Sequence, residues 1–295
     1  MKYYLGIDGG GTKTTAAVAD NSGNIILKAV GKSINFYSVG MATARKNLTE
    51  IVKEIKTSLG DITFEGAFIG CSALDGEADG ETTASLCGGV IDAEKISMNS
   101  DLFVALKASK GNCVAVCGTG SMVVGENNDG EIIVAGGWGH IFGDEGSAYS
   151  IAINGLRLCA KGSDKKETSP LLQSALEFFG VTDFRKAIDI IYSPDTSKDV
   201  LASFAEKIGA LAIDGDAECK KIINNEAYAF SETVITLIKK LGECHVLSLY
   251  GGVFENNLLF REIFTEQITL NFPQIKVEMT ALPPEEGAII AAREL

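Results

Sequence analysis

Two glycine-rich turns in this chain carry residue types that suit the binding of phosphate. The first, at residues 8–14, reads Asp-Gly-Gly-Gly-Thr-Lys-Thr between two apolar runs. Consecutive glycines leave backbone N–H groups uncovered and let a ligand approach the main chain closely. Asp8 ends the first apolar run and can hold Mg²⁺, which prefers carboxylate and water oxygens. The residues predicted to contact phosphate here are Gly10, Gly11, Thr12, Lys13 and Thr14; a plain hairpin loop is the alternative.

The first turn matches neither common nucleotide-binding motif. The pattern Gly-x4-Gly-Lys-Ser/Thr of a Walker A loop is missing, and a strand rather than a helix follows the glycines, which excludes the dinucleotide fingerprint.

The second glycine-rich turn and a third glycine element lie in the second half of the chain and strengthen the phosphate interpretation. Residues 118–121 read Gly-Thr-Gly-Ser, and Gly251-Gly252 ends an apolar run with Asn256 shortly after. The glycine pair at 251–252 would let a flat ring such as that of adenosine lie against the backbone. We therefore predict that nucleotide contacts come from Gly118, Thr119, Gly120, Gly251, Gly252 and Asn256.

The apolar pattern indicates the elements that must position these turns. Short apolar runs separated by polar turns predict a three-stranded antiparallel meander at 3–30 and a second one at 113–135. Helical periodicity is found at 42–59, 200–213 and 220–241, and further strands are predicted at 63–70, 95–99 and 245–250. The repeated meander suggests duplication of one structural unit.

These elements predict an α/β protein of two domains that enclose a cleft, where ligands usually bind. The predicted first domain covers residues 1–108 plus 284–295, and the second covers 109–283.

Composition argues against two classes of partner. The net charge is −13, and no block of lysine and arginine interrupts it, so we expect neither nucleic acid nor an anionic membrane as a partner. The apolar runs are strand-sized and no secretory leader is recognisable, so a cytoplasmic protein is expected. The seven cysteines are scattered, with no CxxC pair, and are predicted to be reduced, buried thiols.

The order of the three glycine elements resembles the superfamily of actin, heat-shock chaperone ATPases and sugar kinases. Residues 136–149 read Gly-Gly-Trp-Gly-His-Ile-Phe-Gly-Asp-Glu-Gly-Ser-Ala-Tyr. This stretch closely resembles the signature of the N-acetylglucosamine kinase branch, also called the BadF/BadG/BcrA/BcrD ATPase family. The resemblance covers essentially the whole chain and implies two ribonuclease H-like, actin-like domains.

The resemblance implies an ATP- and Mg²⁺-dependent kinase acting on the 6-hydroxyl of N-acetylglucosamine or a relative such as N-acetylmuramate or glucosamine. Asp101 matches the catalytic aspartate of these kinases, whereas its spacing alone favours a cap at the start of a helix over 102–108. Phe36 and Tyr37 stand where the family often has histidine and tryptophan, which leaves the exact sugar undecided. The sugar-binding residues implied by the resemblance are Asn35, Ser72, Asp101, Gly137, Asp144 and Ala148.

Other functions stay open at this stage. The same family contains iron–sulfur activators of CoA-ester dehydratases and reductases, whose cluster needs cysteines at a dimer contact. Sugar-sensing repressors of the related ROK group and filament-forming actin-like ATPases are further alternatives. The sequence does not decide the amino sugar or the oligomeric state, for which a homodimer is kept open.

Overall fold

Each half of the protein is built on a five-stranded mixed sheet. The computed structural model describes residues 2–280 and 282–295. The chain divides into a first unit, Met1–Lys110 with Thr280–Leu295, and a second unit, Gly111–Met279. The domain boundaries given above stay a prediction.

The sheet of the first unit has the strand order β3-β2-β1-β4-β5. The first three strands are antiparallel, while β4 and β5 continue the sheet in parallel with β1. The strands are β1 (Tyr3–Gly9), β2 (Lys13–Asp20), β3 (Ile25–Lys32), β4 (Phe64–Cys71) and β5 (Ala93–Asn99).

Helices cover both faces of this sheet, and an apolar layer lies between the helices and each face. They are α1 (Phe36–Val39), α2 (Met41–Leu59), α3 (Gly80–Cys87), α4 (Asp101–Ala108) and, from the end of the chain, α13 (Pro284–Glu294). The buried face of α2 carries Leu48, Ile51 and Ile55 at helical spacing and packs into the main apolar cluster. Gly6 lets α13 approach β1 closely, since a Cβ there would lie 2.5 Å from the carbonyl oxygen of Glu285.

The second unit repeats the same topology with the order β10-β9-β6-β7-β8. Again three antiparallel strands are followed by two strands parallel to the first of them. The strands are β6 (Cys113–Cys117), β7 (Ser121–Glu126), β8 (Ile132–Gly136), β9 (Val246–Tyr250) and β10 (Lys276–Met279). The predicted α/β class and the repeated meander are confirmed.

The helices of the second unit form its apolar core with one face of the sheet. They are α5 (Ala148–Lys165), α6 (Pro170–Phe179), α7 (Ala187–Ile191), α8 (Lys198–Ala202), α9 (Phe204–Ile213), α10 (Ala217–Leu241), α11 (Gly252–Asn256) and α12 (Leu258–Asn271). The single helix predicted at 200–213 is wrong, because α8 and α9 are separate helices on either side of Ser203. The Ser203 hydroxyl donates to the carbonyl of Val200 at 2.8 Å, a side-chain bond that competes with the helical ladder.

All seven cysteines are buried and unbridged, as predicted. No helix within residues 2–280 and 282–295 combines the length and apolar character that a membrane crossing requires.

Candidate active site

Two carboxylates lie together where the parallel strands of the first unit end. Asp8 on β1 pairs in register with Gly70 on β4, and Gly70 pairs with Asn99 on β5. Asp101 follows β5 by two residues. Because Gly70 has no side chain, the backbone of Asp101 packs against it; a Cβ on Gly70 would lie 3.3 Å from the Asp101 Cα. The carboxyl ends of parallel strands are the usual place for a ligand site in such sheets.

Burial gives both carboxyl groups raised pKa values. Burial, then the negative charges of Asp101 and Glu285, raise the pKa of Asp8 to about 7, although Lys13 acts in the opposite direction. Burial also raises the pKa of Asp101 to about 6, against backbone N–H groups that favour its ionised form. A carboxylate whose pKa lies near neutrality is suited to accept a proton in catalysis.

The N-cap of α4 is Ser100 rather than Asp101. Its hydroxyl oxygen accepts from the backbone N–H of Phe103 at 3.3 Å. Asp101 is therefore the first residue inside the helix, and the capping role favoured by spacing alone is wrong. Because serine makes the cap, the Asp101 carboxylate is not needed for it.

Asp101→Asn should change how the stability of the protein depends on pH. The folded protein binds the Asp101 proton more tightly than the unfolded chain, whose pKa is near 3.8. That stabilisation is complete below pH 3.8 and is lost as the pH rises through about 6. Asparagine does not titrate, so only the wild type loses this stability. The free energy of unfolding of the variant should gain on the wild type by on the order of 1 kcal/mol between pH 5 and pH 7.5. Urea unfolding at both pH values measures this difference, with Asp61→Asn, on the exposed surface, as the control. The same change in unfolding free energy between the two pH values for all three proteins would contradict the raised pKa of Asp101.

Asn35 and Ser72 form a hydrogen-bonded pair beside the end of β1. The Asn35 amide donates to the Ser72 hydroxyl at 3.0 Å, and that hydroxyl donates to the carbonyl of Gly9 at 3.1 Å. The amide oxygen of Asn35 accepts from the N–H groups of Tyr37 and Ser38, which caps α1. Two residues predicted to bind sugar are thus brought together next to Asp8. Most of the hydrogen-bonding capacity of the Asn35 amide is used by contacts within the protein.

The first glycine turn divides into an open edge and a buried support. Gly11, Thr12 and Lys13 are exposed. Thr14 is fully buried, and its hydroxyl oxygen accepts from the N–H of Ile34 at 3.2 Å. We therefore assign Thr14 to the support of the turn, whereas the exposed residues keep the predicted phosphate role.

The two glycine elements of the second unit are in contact with each other. Gly118 donates its N–H to the carbonyl of Gly120 at 2.8 Å, which closes the turn after β6. Gly251 follows the neighbouring parallel strand with φ of 111°, and a Cβ there would lie 2.5 Å from the carbonyl oxygen of Cys117. Only glycine accommodates both this backbone conformation and this approach.

A cavity of about 660 Å³ opens directly beside these two elements. Gly118 and Thr119 form one wall, and Gly252, Val253 and Asn256 form a second. The third wall comes from α5, α8 and α9, whose lining residues are largely small: Ala148, Ile151, Asp199, Ala202, Ser203, Ala205, Glu206, Gly209, Ala210 and Ile213. Its size lies in the range of small-molecule sites. Ala148, predicted to contact sugar, lines this cavity and donates its N–H to Gly118.

The loop before α5 presents Asp144 in an unusual conformation. Its φ is 59°, in the left-handed region that non-glycine residues seldom adopt, and its side chain is buried. The Lys198 ammonium lies 2.9 Å from the Asp144 Oδ2. Gly137, also predicted to contact sugar, donates its N–H to the carbonyl of Ser121 at the other end of the loop.

A buried carboxylate on α10 fixes the end of this loop. Glu226 accepts from the N–H of Gly146 at 2.7 Å, the hydroxyl of Ser150 at 3.0 Å and the amide of Asn154 at 2.5 Å. A buried polar group needs such partners, because a buried acceptor without a hydrogen bond costs about 1–3 kcal/mol.

Comparison with known proteins identifies the family. The sequence profile of the BadF/BadG/BcrA/BcrD ATPase family matches residues 5–293, nearly the whole chain. The chain belongs to the BadF/BadG/BcrA/BcrD ATPase family. The resemblance inferred from the sequence motifs is thereby confirmed.

Curated relatives of this BadF/BadG/BcrA/BcrD family member include two amino-sugar kinases. The chain is 29% identical to the N-acetylmuramic acid/N-acetylglucosamine kinase of Clostridium acetobutylicum, with 99% of each chain covered. It is also 29% identical to the N-acetyl-D-glucosamine kinase of Dictyostelium discoideum, with 99% of this chain and 98% of the relative covered.

Solved structures show the fold of this BadF/BadG/BcrA/BcrD family member. A candidate N-acetylglucosamine kinase from Chromobacterium violaceum has a TM-score of 0.79 at 19% identity, with 98% of both chains covered. A ROK family glucokinase from Streptomyces griseus has a TM-score of 0.64 at 14% identity, with 99% of this chain and 98% of that chain covered. The expected pair of actin-like domains is confirmed.

The cavity wall that α8 and α9 supply was not predicted from the sequence of this family member. Periodicity identified the apolar face of this region, with Phe204 and Ile208. The neighbouring face carries the small residues Ala202, Gly209 and Ala210, a spacing that could have signalled close approach to a ligand. Lys198 gave no signal, because nothing in the sequence links it to Asp144.

Proposed function

We propose that this chain is an ATP- and Mg²⁺-dependent kinase that phosphorylates the 6-hydroxyl of an N-acetylhexosamine. N-acetylglucosamine is the favoured acceptor, with N-acetylmuramate and glucosamine as the alternatives. The observation that carries the proposal is Asp101: a partly buried carboxylate beside Asp8, free of the capping role, with a pKa of about 6. The similarity to two amino-sugar kinases over the full chain supports it.

The chemistry assigns a distinct task to each group. Asp101 accepts the proton of the sugar hydroxyl as that oxygen forms its bond to the γ-phosphorus, and the bond from phosphorus to the oxygen of the leaving ADP breaks. Glycine turns and the cavity of the second unit suit a nucleotide, since backbone N–H groups bind phosphate without a basic surface. The Asn35–Ser72 pair and Asp144 are proposed to bind the sugar.

The residues present also fit Mg²⁺. This ion is usually held by one or two carboxylates together with water and substrate phosphates. Asp8 supplies such an oxygen ligand at the end of β1. Its pKa is raised because the nearby cation, Lys13, does not offset the effect of burial, and a bound metal ion would favour the ionised form. Bound Mg²⁺ would neutralise charge on the phosphates during transfer.

ADP release with Mg-ATP, measured by a coupled assay, tests the function. The acceptors are N-acetylglucosamine, N-acetylmuramate, glucosamine, N-acetylmannosamine and glucose, and one reaction contains no sugar. Turnover with one or two of the amino sugars is the expected result. ADP release that does not depend on sugar, or none with any acceptor, would overturn the proposal and favour the iron–sulfur activator of the same family.

A further inference from the structure

Lys198 forms an ion pair with the Asp144 carboxylate, which itself contacts the second glycine turn, residues 118–121. It is the first residue of α8, and its ammonium is 2.9 Å from the Asp144 Oδ2 and 5.6 Å from the centre of the Tyr149 ring. The lysine side chain is 31% exposed, whereas that of Asp144 is 6% exposed. The ion pair therefore joins a buried carboxylate to a cation that a dissolved ligand can reach.

Two contacts place this ion pair directly against the turn. The Oδ2 atom of Asp144 lies 2.9 Å from where a Cβ on Gly120 would be. The neighbour of Lys198, Asp199, accepts a hydrogen bond from the Thr119 hydroxyl at 2.8 Å and lines the cavity. The start of α8 is thus fixed to the turn that is proposed to hold phosphate, with the Lys198 ammonium beside it.

The electrostatics favour an exchange of partners. The protein carries a net charge of −13, so a bound polyphosphate needs a local cation. A lysine ammonium is a compact charge on a flexible stem and a common ligand of phosphate. A triphosphate carries more negative charge than one carboxylate, so it competes effectively for the ammonium.

We propose that Lys198 binds the phosphates of the nucleotide and that it leaves Asp144 to do so. Asp144, once released, has a carboxylate ready to accept hydrogen bonds from the sugar. The ion pair then couples the two substrates, since whatever draws Lys198 away from Asp144 also prepares the sugar-binding carboxylate, and the coupling is reciprocal. This inference rests on the proposed function and adds a nucleotide ligand and a binding linkage to it.

Lys198→Met tests the phosphate contact by equilibrium binding. Isothermal titration calorimetry would compare ATP with adenosine, which lacks phosphates, and Lys161→Met removes an exposed lysine of α5 as the matched control. Loss of a hydrogen bond between charged groups should weaken ATP binding about tenfold to a hundredfold. Adenosine should bind within twofold of the wild type; unchanged ATP affinity, or an equal loss for adenosine, would overturn the inference.

Asp144→Asn tests the exchange through the sign of its effect. Without sugar, it should tighten ATP binding by about threefold to tenfold, because the lysine no longer has to leave a carboxylate. In the Lys198→Met background the same change should tighten ATP binding by less, because only the repulsion between the carboxylate and the phosphates is removed there. Equal tightening in both backgrounds would indicate simple removal of negative charge, and weaker ATP binding in the single variant would indicate a structural role; either overturns the exchange.

Folding and function are controlled separately in these tests. Asparagine adopts the left-handed conformation of residue 144 readily, so Asp144→Asn should fold, and thermal unfolding verifies this. Neither binding experiment needs turnover. A wild type that binds ATP but releases no ADP with any amino sugar would refute the proposed kinase, while the ATP affinities would still decide the role of Lys198.

Discussion

Asp101→Asn should lower kcat for sugar phosphorylation by about two to four orders of magnitude while ATP binds as before, the range usual for loss of a general base. The amide is nearly isosteric with the carboxylate but cannot take the hydroxyl proton. Ser100 continues to cap α4, so the helix keeps its start. Steady-state kinetics with the best amino sugar give kcat, and calorimetry gives the ATP affinity.

Asp79→Asn is the matched control for this variant. Asp79 is an aspartate of the same unit that caps α3 through the N–H of Thr82, and asparagine caps helices equally well. It should therefore leave both kcat and stability near the wild-type values. Kinase activity retained in Asp101→Asn would remove Asp101 from the role of base, whatever the panel of acceptors had shown.

Asp8→Asn should have the second-largest effect, a loss in kcat of about two to three orders of magnitude, because a catalytic metal ion contributes several kcal/mol. The variant should fold, since it loses a half-buried carboxylate whose charge lies close to that of Asp101. Its distinguishing sign is the metal dependence: half-maximal activity should need a higher Mg²⁺ concentration, and excess Mg²⁺ should recover part of the rate.

Titration of activity with MgCl2 separates the two aspartates. Asp101→Asn should keep the wild-type Mg²⁺ requirement at its reduced rate, whereas Asp8→Asn should not. Asp61→Asn, an exposed substitution in the same unit, serves as the control for net charge. If Asp8→Asn shows wild-type kcat and an unchanged Mg²⁺ curve, Asp8 does not hold the metal.

The strands and their turns were predictable from local sequence. Apolar runs bounded by glycine and polar turns are short-range signals, and the meander predicted at 113–135 agrees within one residue with the span of β6, β7 and β8. The break at Ser203 was not predictable, because a serine hydroxyl that bonds within the chain looks the same in sequence as one facing water. Periodicity therefore merged α8 and α9.

The candidate site was predictable where motif and strand end coincide. Asp8 lies near the end of β1, and Gly118 and Gly251 directly follow β6 and β9, all strands that the apolar runs identify. The cap of α4 was misassigned because Ser100 and Asp101 are both good caps and only the backbone geometry distinguishes them. Lys198 is 54 residues from its partner Asp144, and a contact of that range depends on the fold of the whole unit.

Because every thiol is buried, reaction of the cysteines with a thiol reagent reports unfolding of the protein. Cys71 and Cys87 belong to the first unit, and the other five cysteines belong to the second. A brief pulse of an alkylating reagent would leave the native protein unlabelled, while opening of one unit alone would add two or five mass tags and complete opening would add seven. Intact-protein mass spectrometry could therefore count, molecule by molecule, which half of the chain opens first under heat or denaturant.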